Sequence, residues 1–147
     1  MPSPYVSNYG ITTITAATLS IRADAHAGQT MVSNLAATQT FTLPAAVGSG
    51  NRYEVLVLIT KTGDLVIQAA SSSDTMSGYA ILAADAGDTA VMFATAGTTD
   101  TVTLDGTTTG GIIGAKAKFI DIASGKWFVE VFSDASGTEA TPFSAAV

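Results

Sequence analysis

The chain contains no cysteine at all, so neither a disulfide framework nor a thiolate metal site is available, and stability must come from packing or assembly. Charge is scarce. Charged residues make up 12% of the 147 residues, about half the usual fraction. A folded chain of this size exposes on the order of 7,000 Å², which six basic and twelve acidic side chains cover only thinly. Ser, Thr, Ala and Gly must cover the rest, and a surface so poor in charge is expected where subunits meet.

Basic residues are the scarcest. Arg22, Arg52, Lys61, Lys116, Lys118 and Lys126 are scattered along the sequence, and the net charge of -6 repels a phosphate backbone, so nucleic acid is not an expected partner. Long hydrophobic runs are missing too. No stretch approaches the roughly 20 unbroken apolar residues of a membrane-spanning helix, and residues 1–21 lack the basic and continuous apolar regions of a signal peptide. The chain is expected to be soluble, with no membrane partner.

What the sequence does hold is β-type pattern. The length suits one domain. Short apolar or Thr-rich runs recur between Gly, Pro, Asn, Asp and Ser: Leu19–Arg22, Thr30–Leu35, Thr40–Leu43, Tyr53–Thr60, Leu65–Ala69, Tyr79–Leu82, Ala90–Thr95, Thr101–Leu104, Ala117–Ile122 and Trp127–Phe132. Regular short strands of this kind predict an all-β, single-domain antiparallel β-sandwich or β-barrel. Thr62-Gly63 and Ser124-Gly125 are expected to close two hairpins. Glu54–Ile59 is expected to be a central strand buried on both faces, and Ala83–Ala86 has the composition for one helical turn.

Residues 1–18 carry two prolines, two tyrosines and no charged side chain, and predict an extended N-terminal arm ahead of a domain at 19–147. An uncharged arm is costly to order unless it docks, so Tyr5, Val6, Tyr9, Ile11 and Ile14 are candidate contact residues. Trp127, Val129 and Val131 alternate with Phe128, Glu130 and Phe132, so Phe128 and Phe132 lie on the second face of a strand and join the candidate interface.

Chemistry-bearing constellations are weak. Asp24-Ala-His26 sets a carboxylate near the single histidine, but no nucleophile-elbow glycines accompany any serine, so catalysis is not expected. Asp74, Asp85, Asp88, Asp100 and Asp105 fall in successive turns, where Asp commonly bonds nearby backbone amides; without an Asp-x-Asp-x-Asp-Gly loop no metal or other cofactor is expected. Gly106-Thr-Thr-Thr-Gly-Gly111 lacks the Gly-Lys-Thr ending of a phosphate cradle and is expected to be a flexible loop. Trp127, Phe128 and Phe132 could stack on sugars, although aromatics along a strand more often fill a core.

Several segments resemble structural proteins of phage and prophage particles, among them head decoration (cement) proteins and modules of head and tail fibres. The resemblance runs from about Leu19 to Phe143. It rests on Leu19-Ser-Ile-Arg-Ala-Asp24 with Gly28-Gln-Thr30, on Phe41-Thr-Leu-Pro-Ala-Ala46 leading to Gly50 and Tyr53, and on Asp74-Thr-Met-Ser-Gly78. It closes with Gly114, Ser124-Gly-Lys-Trp-Phe-Val129 and Gly137-Thr-Glu-Ala-Thr-Pro-Phe143. In that order Pro44 is expected to end a strand and Gly78 to close a turn. The resemblance implies a virion protein made in the bacterial cytoplasm, bound to the major capsid protein on the head surface as a homo-oligomer, a trimer being favoured. The alternative it implies is a receptor- or glycan-binding fibre module. No heptad stretch or long repeat array of a full fibre is present.

Overall fold

The computed structural model describes residues 10–84 and 89–147. It is a single-domain β-sandwich of two open, mixed sheets. The strands are β1 (Ile11–Ile14), β2 (Thr18–Ser20), β3 (Thr30–Ser33), β4 (Gln39–Thr42), β5 (Arg52–Val57), β6 (Leu65–Gln68), β7 (Thr75–Ala83), β8 (Ala90–Ala94), β9 (Thr101–Leu104), β10 (Lys116–Ala123), β11 (Lys126–Asp134) and β12 (Phe143–Ser144). One helical turn, α1 (Ala23–His26), interrupts them. The seven-stranded sheet runs β1-β3-β5-β10-β11-β7-β8 and the five-stranded sheet β12-β9-β6-β4-β2. All ten expected strands are present, and neither sheet closes into a barrel.

The all-antiparallel expectation is corrected. From β1 to β6 the chain crosses from one sheet to the other at every step, so strands two apart become parallel neighbours. Ile11 stands beside Thr30 and Thr30 beside Glu54 in one sheet, while Thr18 stands beside Thr40 and Thr40 beside Val66 in the other. Parallel neighbours need a long crossover, and here the opposite sheet serves as that crossover. The Thr62-Gly63 turn therefore joins β5 to β6 across the sandwich and closes no hairpin. Its amides donate instead to Ala36 O, at 2.8 Å from Thr62 and 3.1 Å from Gly63. A glycine turn between two apolar runs reads alike whether the runs pair edge to edge or stack face to face.

The Ser124-Gly125 hairpin is as expected, with β10 and β11 antiparallel, a register shift between Asp121 and Ala123, and Gly125 at φ 72. Inward alternation builds the core from Tyr53, Val55 and Val57 on β5, Ala117 and Phe119 on β10, and Trp127, Val129 and Val131 on β11. Phe41, Leu65, Ile67, Val102 and Leu104 face them from the smaller sheet. Trp127 meets Tyr53 edge-on at 5.8 Å between ring centroids. Glu54–Ile59 is not buried on both faces. Its outward Glu54 and Leu56 are half-buried and Leu58 and Ile59 are exposed, because only one face of the sheet is covered by the other.

Lys61, one of the scattered cations, is buried. Its Nζ donates to Leu35 O and, at 3.1 Å, to Gln39 Oε1; Gln39 also accepts from Ser33 Oγ and donates from Nε2 to Ala16 O at 2.8 Å. Burial pulls the Lys61 pKa below its ordinary value. An ammonium held by neutral groups contributes little net stability, so Lys61→Met is expected to change the unfolding free energy by less than about 1 kcal/mol in urea titrations.

Candidate interaction surface

Among the described residues no element covers the outer face of the seven-stranded sheet, and β-register fixes which side chains stand side by side on it. Pairing aligns Thr13, Val32, Leu56, Lys116, Phe132, Ile81 and Met92 in one row across all seven strands. Five of these seven are apolar, and the Lys116 Nζ lies 5.8 Å from the centre of the Phe132 ring, a cation–π position that leaves the row's apolar character intact. A parallel row of Thr30, Glu54, Lys118, Glu130, Tyr79 and Ala94 flanks it. At the β8 end, Ile81, Ala83, Ala90, Ile113 and Phe132 line a shallow groove.

The expected contact residues divide on this frame. Phe132, 42% exposed, stands in the apolar row, and Phe128 lies half-buried on the same face beside Ile120 and Ser77. Ile11 is 75% exposed on the outward side of β1, at the far edge of the same sheet. Ile14 is corrected. It is 8% exposed and belongs to the core, because strand alternation turns it inward from Thr13. Tyr5, Val6 and Tyr9 lie outside the described residues. The described part of the expected arm is not free: Ile11–Ile14 is an edge strand of the chain's own sheet, and Thr18 begins β2 in the other. Sequence reading missed Tyr79, Ile81, Met92 and Ile113 as surface groups. The alternation of Met92 against Phe93 was the available signal for β8.

The outer face of the smaller sheet has a different chemistry. Register places Thr18, Thr40, Val66 and Thr103 in one row and Ser20, Thr42, Gln68, Thr101 and Ser144 in the next. These rows carry no charged side chain; hydroxyls predominate beside Val66 and Gln68, and Thr101 is buried with its Oγ1 donating to Asp100.

The remaining polar candidates are spent within the fold. Asp105 caps its own turn, accepting from Thr107 N at 2.7 Å, Thr109 N at 3.0 Å and Thr108 Oγ1 at 3.0 Å. Burial raises the Asp105 pKa, but these donors outweigh it and leave it below the ordinary carboxylate value. The Gly106–Gly111 segment is consequently a tight, bonded turn rather than a flexible loop, with Gly106 N donating to Gly110 O at 2.6 Å. Asp74 accepts from Ala46 N at 3.0 Å, and Asp100 from Ala146 N at 2.8 Å and Thr101 Oγ1 at 2.8 Å. These aspartates bond the backbone of separate loops, and no group of three or more His, Asp and Glu gathers in a metal-holding arrangement among the described residues. Asp85, Ala86 and Asp88 lie outside them, and Ala83, where the expected helical turn would start, is the last residue of β7.

In α1 the His26 Nδ1 accepts from Arg22 N at 2.9 Å, while the Asp24 carboxylate engages the Arg22 guanidinium. Asp24 and His26 are thus brought to the same residue and not to each other. Compared with known proteins, the chain matches no family model, no curated protein and no solved structure.

Proposed function

We propose that this chain is a non-catalytic decoration protein of a bacteriophage head, binding the outside of the shell as a homo-oligomer, with a trimer favoured, and stabilising it by added contact area. The carrying observation is the seven-strand row of mostly apolar side chains on an uncovered sheet. It is a broad protein-contact surface, where a small ligand would call for a deep pocket with convergent polar groups. The phage resemblance supplies the class of partner, the major capsid protein. The outer face of the smaller sheet, uncharged and made mostly of Thr and Ser with Val66 and Gln68 among them, suits a second flat contact with a lattice. The glycan-binding fibre module is less well supported, since Trp127 is fully buried and Phe128 half-buried, and the exposed aromatics Tyr79 and Phe132 stand on an open sheet face beside a shallow groove, where a small ligand calls for a pocket with convergent polar groups.

Purified protein mixed with heads prepared without it should co-sediment with them and raise the temperature at which they release DNA. Failure to bind heads, together with binding to host-cell glycans, would favour the fibre module instead. A chain lacking residues 2 to 9 keeps every described strand, so it should fold with unchanged circular dichroism and bind heads at least tenfold more weakly if the arm docks. Equal binding would make those residues passengers.

A further inference from the structure

An Asp-Gly bond is a weak point of any ageing backbone, because glycine leaves its amide nitrogen unhindered for attack on the preceding side-chain carboxyl. This chain has one such bond, Asp105-Gly106, and no Asn-Gly. The reaction is intramolecular. Gly106 N bonds to Asp105 Cγ, and the carboxyl hydroxyl leaves as water with the amide proton, closing a succinimide ring. Water then opens the ring at either carbonyl. One opening restores Asp105; the other routes the main chain through the side-chain carboxyl as isoaspartate, longer by one methylene and unchanged in mass.

The folded turn withholds each thing this reaction needs. The nucleophile is engaged, since Gly106 N donates to Gly110 O at 2.6 Å. The carboxyl must be protonated for its oxygen to leave as water, yet it accepts from Thr107 N, Thr109 N and Thr108 Oγ1, donors that favour the carboxylate. Asp105 N is tied in turn to Thr109 Oγ1 at 2.9 Å, so both the backbone and the side chain of the residue are anchored. Ring closure also requires the Gly106 backbone to move, and Gly106 is buried against Lys61. A Cβ on Gly106 would lie 1.9 Å from Lys61 O and 2.7 Å from its carbonyl carbon.

The product fits no better than the reaction. This turn is a junction: Gly111 O accepts from Lys61 N at 3.0 Å, Gly111 N donates to Ser133 Oγ at 3.0 Å, and the carbonyls of Thr107 and Thr108 accept from Ser136 N at 3.1 Å and Ala140 N at 2.9 Å. It thereby ties the β5–β6 link, the end of β11 and the segment leading to β12 onto the end of β9. A methylene inserted between Asp105 and Gly106 displaces all of these bonds from β9.

We infer that Asp105-Gly106 is the isoaspartate site of this chain, closed by its own hydrogen-bonded turn in the folded protein and opened only when that turn is released, so that it converts a transient opening into an irreversible loss of the fold. Loss of this kind is a limit on lifetime rather than on equilibrium stability. It concerns the chain alone and is independent of what the chain binds.

The intact chain is kept at neutral pH for weeks, in buffer and in denaturing guanidinium chloride, then digested. Chromatography with mass spectrometry separates the isoaspartate peptide from its parent of equal mass, and the succinimide is lighter by one water. Isoaspartate should accumulate at residue 105 in denaturant and about a hundredfold more slowly in buffer, where reaction waits on local opening. Chains carrying it should not recover the native circular dichroism after dilution. Thr109→Ala removes the hydroxyl that anchors Asp105 N, and should raise the rate in buffer about tenfold while leaving the rate in denaturant unchanged. Equal rates for the parent chain in buffer and denaturant, isoaspartate arising elsewhere than residue 105, full refolding of modified chains, or a folded Thr109→Ala chain that reacts no faster than the parent would each overturn the inference.

Discussion

Gly78→Ala is expected to destabilise the protein by about 3 to 5 kcal/mol, enough to unfold much of a domain of ordinary stability. Gly78 sits within β7 opposite Val129 of β11 in a parallel pair. A Cβ there would lie 1.8 Å from the Val129 carbonyl oxygen and 2.8 Å from its carbon. The obstacle is backbone, not the yielding tip of a side chain, so relief requires separating β7 from β11 in the middle of the sheet. Gly78 also donates to Thr95 Oγ1 at 3.1 Å and accepts from Thr95 N at 3.1 Å, which ties the same point to the chain leaving β8. Gly97→Ala is the matched control, because a Cβ at Gly97 meets nothing within 4 Å, and it should change stability by less than about 0.5 kcal/mol. Urea titrations of the two variants beside the parent chain decide the matter. A Gly78→Ala protein as stable as Gly97→Ala would mean that β7 and β11 are not in close register.

Gly78 also shows where sequence reading stops. In Asp74-Thr-Met-Ser-Gly78 the glycine looks like the close of a turn, but the strand has already begun at Thr75. A lone glycine in a strand pattern signals a close backbone approach, and only the identity of the neighbouring strand says which. Strand positions were legible because alternation and turn residues are local; Pro44 duly follows β4 by two residues. Which strands pair was not, because β1 through β6 alternate between sheets, and neither the Thr62-Gly63 turn nor the Thr-rich run at Ile11 distinguishes crossing over from folding back. The candidate surface was half legible for the same reason. Phe132 stood out within one strand, whereas its companions Ile81 and Met92 come from strands placed beside it only by the parallel pairing of β11 with β7.

Asp121 carries a signal that local reading could have found, since alternation from Ala117 and Phe119 turns it into the core. A carboxylate at an inward position must be hydrogen-bonded or it destabilises the fold. Here it is 2% exposed and gathers the 47–49 loop onto the β10–β11 turn, accepting from Gly48 N at 2.7 Å, Ser49 N at 3.0 Å, Ser49 Oγ at 2.6 Å and Val47 N at 3.1 Å. Removing it strands three backbone amides, so Asp121→Ala is expected to cost about 3 to 5 kcal/mol near neutral pH. Burial pushes the Asp121 pKa up, but the Ser49 hydroxyl and the amides of Ser49, Gly48 and Val47 outweigh it and hold the pKa below the ordinary value of 3.8. The unfolded chain therefore takes up this proton first as the pH falls. The stabilisation by Asp121 is complete above the unfolded value and is lost as the pH drops through the depressed native one. Asp100, where the Ala146 amide, the Thr101 hydroxyl and the Val147 amide overcome burial, is shifted in the same direction. Denaturation across the acid range should thus show the parent chain losing stability below about pH 4. Asp121→Asn, weaker at neutral pH, should lose less over the same interval, so that the two curves converge. Parallel curves would show that the Asp121 carboxylate is not the group held ionised by the 47–49 loop.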